Sequence, residues 1–161
     1  MSRLLKCQAG MTLLELLIAT VIILVLASVA MPLSRIGDRR VREIELRQNL
    51  RELRNAIDQF KADWDEKKIA HSISDIANEE TGYPKRLEVL TEGVPVGDPN
   101  QKKIRRYLRR IPKDPLTGSI EWGTRCYEDE PETFISCNRD VYDVFSQSDE
   151  VALDGTKYQS W

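Results

Sequence analysis

Apolar and polar residues segregate sharply along this chain. From Leu16 to Met31 no residue is charged, and only Thr20 and Ser28 carry polar side chains. Met11 to Leu33 covers about 23 residues, or ~35 Å as a helix, enough to cross a bilayer. The pattern then changes. Leu46, Leu50, Leu53, Ile57, Phe60 and Trp64 recur at steps of four, three, four, three and four, which draws one apolar stripe on a helix. Arg39, Arg40, Arg42, Glu43, Glu45, Arg47, Arg51, Glu52, Arg54 and Asp58 fill the remaining faces. About two and a half heptads are too few for a convincing coiled coil, so the stripe reads as a helix laid on its own domain. The two segments together predict one long N-terminal helix, half apolar and half amphipathic. Pro32 removes a backbone hydrogen bond and Gly37 adds a second weak point, which predicts a kink or a locally extended stretch between them.

Beyond Asp65 the periodicity blurs. Ile69, Ile73 and Ile76 keep helical spacing and predict a short second helix or an extension of the first. His71, with no catalytic partner in view, reads as a surface or loop residue. Leu87-Glu88-Val89-Leu90 reads as one helical turn before Gly93, and Gly97-Asp98-Pro99-Asn100 as a loop. In the basic segment Lys102, Lys103, Arg105, Arg106, Arg109 and Arg110, the interleaved Ile104, Leu108 and Ile111 fit helix-type packing. Ile111 to Gly118 is a rigid, turn-rich connection. Strand candidates follow at Ile120–Tyr127, Thr133–Ser136 and Val141–Phe145. The fold class is α+β, a long N-terminal helix packed on a small antiparallel sheet.

The chain has 161 residues and a formal charge of −2. That length allows one small domain beyond the apolar segment. The near-balanced charge does not by itself assign a partner. Of three cysteines, Cys126 and Cys137 lie close together and read as a disulfide in an oxidising compartment. Two cysteines and one histidine do not make the usual zinc set. The sequence holds no Gly-rich phosphate loop, no Gly-x-Ser-x-Gly elbow and no paired histidines. An enzyme is therefore not expected. The basic segment is the best argument for nucleic acid. The acidic stretch Glu128, Asp129, Glu130 and Glu132 offers complementary charge within the chain or on a neighbouring subunit, so nucleic acid is not the expected partner.

One residue breaks the apolar run. Glu15 stands five residues past Gly10 in Gly10-Met11-Thr12-Leu13-Leu14-Glu15, and burying a carboxylate at a bilayer centre costs roughly 2.5 kcal/mol or more. Cleavage after Gly10 would create a positive amine on Met11, a counter-charge for the Glu15 of a neighbouring copy. A secretory signal peptide would instead be cut after Ser28-Val29-Ala30, but its core would contain Glu15 and exceed the usual length. The short basic leader with Arg3 and Lys6, the Gly before the cut and the Glu fifth in the mature chain resemble type IV prepilins and type II secretion pseudopilins. The family usually has Phe where this chain has Met11. Tyr83-Pro84, Leu87-Glu88-Val89-Leu90, Arg109-Arg110-Ile111-Pro112-Lys113-Asp114-Pro115, Tyr142-Asp143-Val144-Phe145-Ser146 and Trp161 are similar to the major pseudopilin (G protein) of the general secretory pathway.

That resemblance implies a leader at 1–10, a transmembrane and assembly helix at 11–33, and a periplasmic globular domain at 34–161. It implies cleavage by prepilin peptidase after Gly10 and methylation of Met11. Glu15 and Pro32 would act in assembly, Pro32 through loosening of the helix. The subunit would leave the inner membrane for a homo-oligomeric filament with minor pseudopilins and an inner-membrane assembly platform. The alternative is a minor type IV pilin or competence pseudopilin that contributes to DNA uptake. In the major pseudopilins the C-terminal loop also binds calcium, which carries over to Ser148, Asp149 and Asp154; a plain polar turn at Asp154-Gly155 is the other reading of that loop.

Overall fold

The computed structural model describes residues 12–69, 75–97 and 103–161, without the side chains of 29–36. The chain divides into two compact units, Met1–Arg39 and Arg40–Trp161. Helix α1, Leu13–Asp65, is the first element.

In the first unit the helix begins beside Thr12, whose Oγ1 accepts the Glu15 backbone N–H at 3.2 Å. The Thr20 hydroxyl donates to the Leu17 carbonyl and the Ser28 hydroxyl to the Val25 carbonyl. Both polar side chains thus turn back on their own helix and leave its surface apolar. Helical backbone continues through Pro32 and Gly37, so the locally extended stretch expected there is absent. Proline costs a helix one hydrogen bond and roughly 3 kcal/mol. The cooperative ladder on either side outweighs that loss. Among the described residues no helix is long and apolar enough to cross a membrane. Of the expected span of 11–33, residue 11 lies outside the described residues and the side chains of 29–33 are not described.

The second unit is built on the apolar stripe of α1. Leu46, Leu50, Leu53, Ile57, Phe60 and Trp64 are all buried, as the spacing predicts. They pack with Leu90, Val94, Leu108, Trp122, Val144 and Tyr158 in one core. Helix α1 stops at Asp65 by a Schellman-type cap: Lys68 N–H donates to the Asp63 carbonyl and Lys67 N–H to that of Trp64. Lys67 takes the left-handed position (φ 55°) that glycine usually fills. The sequence therefore carries no glycine signal for this stop. The predicted helix beyond it does not form among the described residues: Ile69 bridges to Val96, and Ala77 to Pro84. Ile73 and His71 lie outside the described residues.

Helix α2 is the short turn Glu88–Glu92. Strands β1 (Val94–Val96) and β2 (Lys103–Arg105) pair antiparallel, with Val94 opposite Arg105. The basic segment is therefore a strand and an irregular connection, not a helix. Ile104 is exposed, and Leu108 alone of the three supposed packing positions is fully buried. Three apolar points at helical spacing were too few to set the period. Strands β3 (Gly123–Arg125) and β4 (Asp143–Phe145) form a second antiparallel pair, with Gly123 opposite Phe145. A Cβ at Gly123 would run into the Phe145 ring, so that pairing requires glycine. The Thr133–Ser136 strand is not formed. Its neighbour Cys137 is tied to Thr124 instead, through backbone N–H to carbonyl and hydroxyl to carbonyl.

Candidate functional site

Three regions carry the sequence-predicted site residues, and they differ in how far the structure defines them. Gly10 and Met11 lie outside the described residues, as does the side chain of Pro32. Glu15 is described. It sits exposed in the first turn of α1, three residues after Thr12. Thr12-Leu13-Leu14-Glu15 has the form of a capping box, with Thr12 as N-cap and Glu15 at the third helical position. An acid in the first turn also favours the helix dipole. This local role was readable from the spacing, yet a reading centred on inter-subunit charge passes over it. Behind it, Leu16, Leu17, Ile18, Ile22, Ile23 and Leu26 are each at least half exposed. A helix apolar on every side belongs against lipid or against other subunits.

The C-terminal segment is clamped onto α1 by side chains of one helix face. Glu43 Oε1 accepts the Leu153 N–H at 2.8 Å and the Tyr158 hydroxyl at 3.0 Å. Four residues on, the Arg47 guanidinium lies 4.1 Å above the Trp161 ring and 3.6 Å from Asp154 Oδ2. Arg54 donates to Asp143 at 2.7 Å and to the Trp161 carbonyl at 2.6 Å. Within the segment, Val151 bridges to Lys157, and Ala152 N–H donates to the Thr156 carbonyl. A 3-10 turn, Tyr158–Ser160, follows.

The calcium ligands implied by resemblance fall on this clamped hairpin. Ser148 is buried, and its hydroxyl oxygen accepts the Glu150 N–H. Asp149 accepts from the Gln159 side chain at 2.8 Å. Asp154 accepts from both the hydroxyl and the N–H of Thr156, which hold its carboxyl below the usual range, and faces Arg47. Calcium takes six to eight oxygens from a flexible loop. Here Ser148 Oγ, Asp149 Oδ1 and Asp154 Oδ1 each accept from a protein donor, and a calcium ion at Asp154 Oδ2 would compete with the Arg47 guanidinium.

Cys126 and Cys137 form the expected disulfide, with Cα atoms 5.6 Å apart. Asp129 completes the one convergent group of possible metal ligands among the described residues, but both sulfurs are used in the bond. The Asp129 carboxylate instead accepts the Cys126 N–H at 2.8 Å. The loop base is anchored by Asp140, buried, which accepts from Asn78, from the Thr81 hydroxyl and from the Tyr127 N–H. Ser146, at the end of the family-like C-terminal motif, donates at 2.6 Å to the fully buried Asp114. These buried carboxylates hold loops in place, and sequence reasoning singled out neither.

Within the basic segment, Arg105 pairs with Asp63 of α1 at 2.7 Å, and the Tyr107 hydroxyl donates to the same carboxylate at 2.8 Å. Burial, then that hydrogen bond, push the Tyr107 hydroxyl well above the usual tyrosine range. Lys103, Arg106, Arg109 and Arg110 are exposed and have no ion-pair partner among the described residues.

Comparison with known proteins bears on the N-terminal region alone. It carries a prokaryotic N-terminal methylation motif. The family model for that motif matches residues 5–31, which contain Gly10, Met11 and Glu15. The match is consistent with the type IV pilin and pseudopilin superfamily, and it supports a pilin-like protein processed by prepilin peptidase. No curated protein and no solved structure matches the chain.

Proposed function

We propose that this chain is a structural subunit of a type II secretion pseudopilus, anchored in the inner membrane as a precursor and assembled into a periplasmic filament that helps export folded proteins. The methylation motif over residues 5–31, with Glu15 fifth after Gly10, is the observation that carries this reading. The exposed apolar helix behind Glu15 supports it, since such a surface requires lipid before assembly and neighbouring subunits after it. So does the α+β body of an amphipathic helix and small antiparallel sheets. The role is one of assembly, not catalysis. It calls on prepilin peptidase, on further copies of the chain, on minor pseudopilins and on an assembly platform. It does not call on calcium.

Intact mass of the chain extracted from membranes tests the first step. Loss of Met1–Gly10 and gain of one methyl group are expected. A mature terminus at Met31 would establish an ordinary signal peptide and remove the filament. Gly10→Ala should still allow some cleavage, whereas a bulky residue at position 10 should block it.

A further inference from the structure

The acidic stretch and the basic segment could pair within one chain or between chains, and the structure separates these alternatives. Among the described residues, Arg106, Arg109 and Arg110 on one side and Glu130 and Glu132 on the other are all exposed and make no ion pair. Glu128 is taken by Arg139 at 2.6 Å, and Arg105 by Asp63. The two strips therefore expose charges of opposite sign that have no ion-pair partner among the described residues, with Glu45 and Glu52 beside Arg110 and Arg139 beside Glu128 as the local exceptions to each sign.

Each strip also presents apolar surface. Ile104 is 56% exposed beside the arginines, and Ile135 is 79% exposed beside the glutamates. Next to the acidic loop, Tyr83, Tyr127 and Tyr142 form a ring cluster with centroids 5.2–5.8 Å apart, in which Tyr127 is 58% and Tyr142 46% exposed. Exposed aromatic groups rimmed by charge are the composition of a contact surface. The disulfide and Asp140 hold the acidic loop to β3, so it is presented in a set shape and little ordering is needed on contact.

We propose that this face docks a second copy of the same chain, the disulfide-stapled loop 126–137 of one copy against the basic strip 103–110 of the next. The two surfaces differ, so the contact is heterologous and repeats head to tail into an open filament. The inference deepens the filament reading and rests on it for the repeat, although the pairing itself can be read from two copies.

The test uses the full chain in its membrane, with Ile135→p-benzoylphenylalanine as a photo-crosslinker and a differently tagged second copy. Light should join position 135 to residues 103–110 of the second copy. Arg106→Glu with Arg109→Glu should lower the yield by at least about tenfold, as should Glu130→Arg with Glu132→Arg, because like charges then face each other. All four changes in one chain should restore it. Adducts elsewhere on the second copy or to a different protein overturn the proposal. So do adducts indifferent to the reversals. DNA retention lost on Arg106→Glu with Arg109→Glu, with no adduct to a second copy, would assign the strip to nucleic acid and overturn it too. Wild-type filaments without this adduct sink the pairing and spare the pseudopilus; the adduct without filaments does the reverse.

Discussion

Asp143 offers the sharpest test of how the second unit holds together. It lies on β4 opposite Arg125 and accepts from Arg125 Nη1 at 2.9 Å and from Arg54 Nε at 2.7 Å. Arg125 is buried, its side chain 8% exposed, and its other donors reach the carbonyls of Thr133 and Gln159, both at 2.9 Å. Asp143→Ala would leave a buried guanidinium without its counter-charge. Removing one partner of a buried pair costs about 3–5 kcal/mol. Arg54, more exposed, recovers water and adds only about 0–1 kcal/mol. Since Asp143 is itself 22% exposed, the loss should be about 2–4 kcal/mol. Urea unfolding of a 38–161 fragment reads this as a lower midpoint at unchanged slope. Asp143→Asn, which keeps an acceptor, should lose about half as much. Adding Arg125→Met to Asp143→Ala should recover part of the loss, because no buried charge then remains. A loss below about 1 kcal/mol for Asp143→Ala would show that the pair is not the tie between helix, sheet and C-terminal segment.

Other outcomes follow from the same geometry. Leu53→Ala, at a fully buried position of α1, should cost about 2–5 kcal/mol in the same unfolding assay. Tyr107 binds its proton more tightly folded than unfolded, so its contribution is complete below about pH 10 and fades as pH rises beyond that. Unfolding midpoints at pH 8 and 11 should therefore differ less in Tyr107→Phe than in wild type; an equal difference would refute the assignment. The fragment, with its disulfide intact, should melt at the same temperature in millimolar calcium and in chelator, and a calcium-dependent rise abolished by Asp154→Ala would restore the metal reading. Glu15→Gln keeps the capping-box form but removes the charge. It should accumulate in the membrane and fail to enter filaments, and normal filaments would leave Glu15 with only its helix-start role.

The sequence was most legible where one period ran long. Six apolar residues from Leu46 to Trp64 defined the buried face of α1 because a core helix must repeat every three to four residues. The methylation motif was legible for a similar reason: Gly10 and Glu15 stand out by linear spacing within residues 5–31, with no need of the folded domain. Short elements were not. The stop of α1 at Asp65 uses Lys67 in a conformation the sequence does not advertise. The 103–105 strand exists because β1 offers it a partner, a pairing invisible in its own three residues. Thr133–Ser136 has strand-like residues, but the Cys126–Cys137 bond draws the chain to Thr124 as a loop.

Residue order thus carried the local features of this chain: the methylation motif over residues 5–31, the stripe of α1 that faces inward, and the two cysteines that meet. Tertiary structure alone decided the charged contacts. Asp63, Asp114, Asp140 and Asp143 look like any other acids in a chain with 31% charged residues. They become anchors because folding brings Arg105, Ser146, Thr81 and Arg125 to them across long stretches of chain. The same folding set Arg47 beside Asp154 and kept Arg106, Arg109, Glu130 and Glu132 out of any ion pair among the described residues. Spacing along a helix or strand fixes which residues share a face, but whether a charge meets a partner depends on the distances that the whole fold sets.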